Sequence, residues 1–167
     1  HNLIKLAYIS FNDLRVQEFD SVFLDLNMEF TLPQSKYAAY QTNMVVNQGG
    51  INNTMSEVND NGQIVLNSFV VNVPLPFFFS RSTGIALPTA ALPYNEMKIT
   101  IEFRRWQELL IVEDAGTPLA ALPNLSLGKT ELWANYAVVS NEERVKMGKC
   151  PRDMLIEQVQ RHSGRPF

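Results

Sequence analysis

Residues 73–104 read VPLPFFFSRSTGIALPTAALPYNEMKITIEFR, and this segment gives the clearest indication of the fold class. Its first part, residues 74–93, has four prolines and neither a helical nor a strand period. We expect an ordered series of turns there, which we call the proline corner. The last part alternates apolar and polar side chains, as a half-buried antiparallel strand does. The apolar members are Met97, Ile99, Ile101 and Phe103, and the polar members are Lys98, Thr100, Glu102 and Arg104.

Three consecutive aromatic residues, Phe77, Phe78 and Phe79, stand near the start of the proline corner. In an extended chain, successive side chains point to opposite faces, so all three cannot enter one core. We expect them to anchor the corner, with at least one packed under a loop or against a neighbouring subunit. Arg81 follows, and its guanidinium is expected to pair with a carboxylate such as Glu96 or to stack on an aromatic ring.

Outward from this stretch, short β-rich runs alternate with irregular loops, without the strand–helix–strand rhythm of a parallel sheet. This pattern predicts an all-β protein, an antiparallel sandwich or jelly roll with short helices in its connections. A strand with apolar residues on both faces is predicted at residues 3–11. Further strands are predicted at residues 63–73, 94–112, 130–139 and 153–160, and long loops at residues 34–62, broken by short strands, and 113–128.

Two segments have helical patterns. Between residues 19 and 30, apolar side chains recur at three- and four-residue intervals, Asp20 is a candidate cap, and Pro33 should stop the helix. The second helix should begin after Ser140, in a Ser-x-x-Glu capping box, and run to about Met147 before Gly148 ends it. In the first helix, the side chains expected to face the core are Phe19, Val22, Phe23, Leu26 and Phe30.

The sequence has few candidates for catalytic or metal-binding residues. His1 and His162 lie at opposite ends of the sequence and Cys150 is the one cysteine, whereas a metal site or a catalytic base needs companions nearby. The sequence has no nucleophile elbow and no phosphate-binding glycine loop. A net charge of −3 without a clustered basic face argues against a nucleic-acid partner. No apolar run is long enough for a transmembrane segment. We therefore expect no catalytic residue, no metal and no cofactor.

A jelly-roll carbohydrate-binding module is the alternative from a different functional class. Such a module needs exposed aromatic side chains on one face of a sheet, and Trp106, Trp133 and Tyr136 are the candidates. Because Trp133 stands among strand-forming residues, we expect it in the core. That placement weakens this alternative.

Residues 74–99, PLPFFFSRSTGIALPTAALPYNEMKI, closely resemble the hallmark segment of the major capsid proteins of iridoviruses and related nucleocytoplasmic large DNA viruses. One departure from the family pattern is Ser82, where many members carry an acidic residue. Other blocks that resemble the family occur in the same order along the chain: SFNDL at 10–14, FDSVFLDL at 19–26, WANYAVVSNEERVKMG at 133–148 and RDMLIEQVQ at 152–160.

The resemblance implies a structural virion subunit, assembled in the host cytoplasm. Members of the family have two consecutive jelly rolls, so this chain would be an internal piece. Residues 1–148 would form most of the first roll without its first strands, and residues 149–167 the linker and the start of the second roll. A homotrimer would form a pseudo-hexagonal capsomer that meets neighbouring capsomers and minor capsid proteins in an icosahedral shell. The residues that the resemblance marks for assembly are Pro74, Pro76, Phe77, Phe78, Phe79, Arg81, Pro88, Pro93, Tyr94 and Asn95.

Overall fold

The computed structural model describes residues 2–40, 56–58, 64–66, 70–92, 94–109, 127–151 and 153–160. The elements in this part of the chain are β1 (Ile4–Phe11), β2 (Leu14–Asp20), α1 (Ser21–Thr31), α2 (Gln34–Tyr40), β3 (Ser56–Val58), β4 (Ile64–Leu66), β5 (Met97–Phe103) and α3 (Asn141–Lys149). Contacts group the chain into two units, each described by itself. The first contains residues 1–3, 21–74 and 104–125, and the second contains residues 4–20, 75–103 and 126–167.

A three-stranded antiparallel sheet forms the framework of the second unit, with β1 between β2 and β5. Ala7, near the middle of β1, pairs with Phe19 of β2 and with Ile101 of β5. Ile9 and Ser10 are both buried, although neighbouring side chains of a strand point to opposite faces. Both faces of β1 are therefore covered there, which confirms the prediction for residues 3–11.

β5 confirms the half-buried strand that the alternation predicts. Ile99, Ile101 and Phe103 are partly buried, and Lys98 and Glu102 are exposed. The strand ends earlier than predicted, because a short 3₁₀ turn follows it at Trp106–Glu108. The rest of the predicted extension, from residue 110 onward, lies outside the described residues.

β2 is a strand that the sequence pattern does not predict, because a bulge hides its alternation. Gln17 pairs with Ile9 and Arg15 pairs with Ser10, so Val16 is the extra residue. The bulge shifts the phase of the strand, with Gln17 and Phe19 on the buried side.

The turn between β1 and β2 consists of Asn12 and Asp13, whose φ angles are 48° and 68°. A two-residue hairpin turn with the right-handed strand twist requires positive φ at its central positions. Asn and Asp tolerate that conformation better than other residues with a side chain. The Asn-Asp pair therefore closes the hairpin.

In the first unit, α1 confirms the predicted helix but reverses its buried face. Leu24 and Met28 are buried, whereas Val22, Leu26 and Phe30 are exposed. The helix carries apolar residues on two sides, so spacing alone cannot decide which side enters a core. Asp20 lies at the end of β2, and its role as a cap stays a prediction.

Residues 34–40 correct the prediction of one long loop after Pro33. They form α2, which starts directly after this proline because proline is well suited to the beginning of a helix. Further along, the short strand β3 interrupts the predicted loop, as expected, and pairs antiparallel with β4. The strand predicted at residues 63–73 is limited to Ile64–Leu66 in the part of the chain that is described.

The strands predicted at residues 130–139 and 153–160 are wrong: neither segment has regular secondary structure. A β-rich sequence becomes a strand only where a neighbouring backbone completes its ladder. Within the described ranges, no backbone hydrogen bond connects residues 127–139 to another segment. The prediction that Trp133 lies in the core is also wrong, since its side chain is 86% exposed.

α3 confirms the helix predicted after Ser140. The Ser140 hydroxyl accepts a hydrogen bond from the backbone N–H of Glu143 at 3.3 Å, as a capping box requires. The helix continues through Gly148 to Lys149, two residues past the predicted end.

These elements make up antiparallel sheets with short helices, which is compatible with the all-β class. Among the described helices, none is long and apolar enough to cross a bilayer.

Candidate functional site

The proline corner is an ordered series of turns, as predicted. Three short 3₁₀ helices succeed one another, at Phe78–Ser80, Thr83–Ile85 and Thr89–Ala91. Each turn fixes the backbone without a neighbouring strand, which suits a segment whose prolines lack ladder donors. Pro93 lies outside the described residues.

The three phenylalanines anchor the first turn. Phe77 and Phe78 are buried, and Phe79 is partly buried. The centroid of the Phe77 ring lies 4.9 Å from that of the Phe19 ring on β2 and 5.6 Å from that of the Phe79 ring. Phe78 meets Phe79 edge-to-face at 5.3 Å. Because the backbone turns here, two successive rings enter the core, which an extended chain would not allow.

Gln17 ties this turn to the sheet. The backbone N–H of Phe78 donates to Oε1 of Gln17 at 2.8 Å, in a buried setting. The amide nitrogen of Gln17 has no hydrogen-bond partner among the residues that the structure describes. A buried N–H without an acceptor is costly, so Gln17 makes this approach of the corner to β2 possible. The sequence gives no indication of this role, because the bulge in β2 hides which side of the strand Gln17 occupies.

Hydroxyl groups hold the first two turns. The Ser80 hydroxyl donates to the carbonyl of Phe77 at 2.7 Å, and the Ser82 hydroxyl accepts from the N–H of Gly84 at 3.3 Å. Ser82 therefore caps the second turn with an uncharged hydroxyl group. Many members of the resembled family carry an acidic residue at this position.

Arg81 pairs with a carboxylate, as expected, but with that of Glu157 and not with that of Glu96, the example given. Glu96 instead contacts Lys98, with 3.1 Å between its carboxylate and the ammonium group. Hydrogen bonds to Glu96 and then to Asp13 raise the pKa of Lys98. The Arg81–Glu157 pair is exposed and contributes little to stability, but it attaches the otherwise irregular segment 153–160 to the corner.

The end of the corner is clamped to the β1–β2 turn. Asn12 donates its backbone N–H to the carbonyl of Glu96 at 3.0 Å and accepts from the N–H of Glu96 through Oδ1 at 3.0 Å. Its side-chain amide also donates to Oδ1 of Asn95 at 2.6 Å. Tyr94, just before this clamp, is 96% exposed. The clamp therefore holds an exposed aromatic residue on a fixed backbone.

The remaining sequence-predicted positions support the turns. Pro74 and Pro76 precede the first turn and are partly buried. Pro88 precedes the third turn, and its carbonyl accepts from the N–H of Ala91 at 2.8 Å. This turn contacts α3. The predicted set thus divides into buried anchors at Phe77 and Phe78 and exposed groups at Arg81, Tyr94 and Asn95.

Catalytic and sugar-binding arrangements are not found in the described ranges. There, no three His, Cys, Asp or Glu side chains gather as metal ligands, and Cys150 is exposed with a free thiol. Trp133 and Tyr136 are exposed, but they lie outside the strands. Trp106 lies in a 3₁₀ turn. These aromatics therefore do not form the sheet-face platform that the carbohydrate-binding alternative needs.

Comparisons with known proteins agree with the resemblance in the sequence. Residues 1–139 match the family described as Major capsid protein N-terminus. The chain is 48% identical to the major capsid protein of Costelytra zealandica iridescent virus, over 96% of the chain and 37% of that protein. It is 43% identical to that of Invertebrate iridescent virus 6, over 99% and 38%, and 44% identical to that of Lymphocystis disease virus 1, over 96% and 35%.

The chain spans a little over a third of the length of these relatives. The relatives are named for a structural role and not for a catalysed reaction, which agrees with the expectation that the chain has no catalytic residues. Since the family match covers residues 1–139 of 167, the chain belongs to the family of iridovirus major capsid proteins.

Proposed function

We propose that this chain is part of a structural subunit of an icosahedral viral capsid, located in the virion. The observation that carries the proposal is the match of residues 1–139 to the N-terminal part of major capsid proteins. In this proposal three subunits form a pseudo-hexagonal capsomer, capsomers tile the shell, and minor capsid proteins lie beneath it. Assembly takes place in the host cytoplasm.

The proposed subunit has two jelly rolls. Residues 1–148 belong to the first roll and lack its first strands, and residues 149–167 form the linker and the start of the second roll. Among the described residues the backbone of residues 127–139 has no hydrogen-bonded neighbour, and most of its apolar side chains are exposed, which supports this arrangement. A segment of that composition is stable in water only when other strands cover it.

The proline corner is the proposed contact between subunits. Its inner side is fixed by Phe77, Phe78 and Gln17, so its outer side keeps one shape. On that outer side Arg81 and Tyr94 are exposed, and Arg and Tyr are the residue types that dominate the binding energy of protein interfaces. A rigid surface of this kind loses little entropy on association.

Tyr94→Ser in the complete subunit tests this contact. We expect the trimer to dissociate at a concentration at least about tenfold higher, because truncation of an interface hot spot costs about 2 kcal/mol or more. Native mass spectrometry over a dilution series measures the trimer fraction. Leu14→Ser, which also truncates an exposed apolar side chain but on the β1–β2 hairpin, is the control. Equal trimer fractions for wild type and Tyr94→Ser would show that the proline corner is not part of the interface.

A further inference from the structure

One side of α1 exposes a row of large apolar side chains. Val22 is 60% exposed, Leu26 is 52% exposed and Phe30 is 84% exposed. They follow one another at four-residue intervals and so lie along one side of the helix. The buried residues Leu24 and Met28 lie on the other side. A continuous row of exposed apolar side chains marks an interaction surface more often than isolated exposed residues do.

An acidic group adjoins this row. Glu29 is three residues after Leu26 and seven after Val22, which places the three side chains on one stripe. Glu29 is exposed and forms no ion pair within the described residues. The helix contains two acidic residues and no basic one. The partner of this face should therefore combine apolar and basic side chains.

The part of α3 that follows its acidic first turn has that combination. Val145 is 53% exposed, and Lys149 lies one turn further along the same side of the helix. Arg144 and Lys146 are also exposed, and none of these three cations has an ion pair in the part of the chain that is described. The favourable position of Lys146 and Lys149 near the helix C-terminus explains their presence there. It does not explain why Val145, which directly precedes Lys146, is exposed.

We propose that α1 of one copy of this chain docks on α3 of a second copy, with Leu26 against Val145 and Glu29 against Lys149. Leu26 and Glu29 are about one turn apart on α1, and Val145 and Lys149 are about one turn apart on α3. A single parallel arrangement of the two helices therefore forms both contacts. The inference rests on the proposed capsid function, and it names the surfaces that the subunits use. The contact joins different surfaces of the two copies. Repetition of such a contact closes a ring when the rotation fits, as a trimer requires.

The contact is one part of a larger interface. Two helices of 11 and 9 residues bury much less than the roughly 1,200 Å² of a stable protein interface. Its loss should therefore weaken the trimer without abolishing it. Because the charges are exposed, the contribution of the Glu29–Lys149 pair should decrease with added salt.

Charge reversal with rescue in the complete subunit tests the docking. Glu29→Lys and Lys149→Glu should each raise the dissociation constant of the trimer about tenfold, since like charges then face each other. The double variant restores opposite charges and should return to within about threefold of wild type. Glu102→Lys is the control, because it makes the same charge change as Glu29→Lys at an exposed position of β5. Sedimentation velocity gives the dissociation constants, and circular dichroism verifies that each variant is folded.

The outcomes separate the two proposals. A wild-type trimer that neither single variant weakens would overturn the helix docking and leave the capsid function in place. Weakening by both single variants without recovery in the double variant would also overturn the docking, because the effect would not come from this pair. A wild-type subunit that stays monomeric at every concentration would overturn the capsid function itself.

Discussion

The side chain of Gln17 shows how one residue positions the proline corner. It accepts the N–H of Phe78 within the core, beside the rings of Phe19 and Phe77. Its own amide nitrogen finds no partner in the described part of the chain, which is an energetic cost. A polar residue with an unsatisfied group persists in such a place because the N–H that it satisfies would otherwise be buried without an acceptor.

Gln17→Met should destabilise the protein by about 1–2 kcal/mol. The substitution leaves the N–H of Phe78 buried without an acceptor, which costs about 1–3 kcal/mol, and removal of the unsatisfied amide nitrogen offsets part of that cost. Urea unfolding measures the difference. Glu18→Gln, at the partly exposed neighbouring position, should change the free energy of unfolding by less than about 0.5 kcal/mol. Equal stability of Gln17→Met and wild type would show that this hydrogen bond does not hold the corner.

At the scale of elements, prediction from the sequence succeeded where a segment carries its own signal. Strand β5 follows from strict alternation, and α3 follows from the capping box that Ser140 completes. The bulge at Val16 concealed β2, since a strand with an extra residue has no single period. Residues 130–139 and 153–160 have the composition of strands, but a strand also needs a neighbouring backbone, which local sequence does not specify.

The candidate site divides in the same way. The anchoring role of the phenylalanines follows from their hydrophobicity and the adjacent prolines. The detailed contacts of the proline corner depend on residues distant in sequence, such as Gln17, Asn12 and Glu157. The Asn-Asp pair at positions 12 and 13 is a recognisable signal for a hairpin turn, but nothing local connects it to Asn95.

Asn12 joins two elements, the β1–β2 hairpin and the end of the proline corner. Asn12→Ala should destabilise the protein by about 1–3 kcal/mol, because it loses two side-chain hydrogen bonds and places alanine at a positive φ. Asn12→Gly loses the same hydrogen bonds but adopts this φ freely, so it should be less destabilising. Thermal unfolding of both variants separates the two causes. A glycine variant less stable than the alanine variant would contradict the assigned role of backbone conformation.

At the scale of the whole molecule, the chain leaves many large apolar side chains in contact with water. They include Leu127, Leu132, Trp133, Tyr136, Val138 and Leu155, in segments without regular structure. A monomeric protein rarely exposes so much apolar surface, whereas a subunit of an assembly covers it with neighbouring chain. The family match and this surface lead to the same account, in which the protein functions through association.

Electron microscopy of the complete subunit, purified at assembly concentrations, tests this account most directly. The account predicts uniform particles with threefold symmetry and a pseudo-hexagonal outline, in which each subunit has two jelly rolls and residues 127–139 lie within a sheet. Isolated single subunits, or oligomers in which the proline corner and residues 127–139 both remain exposed to solvent, would contradict it.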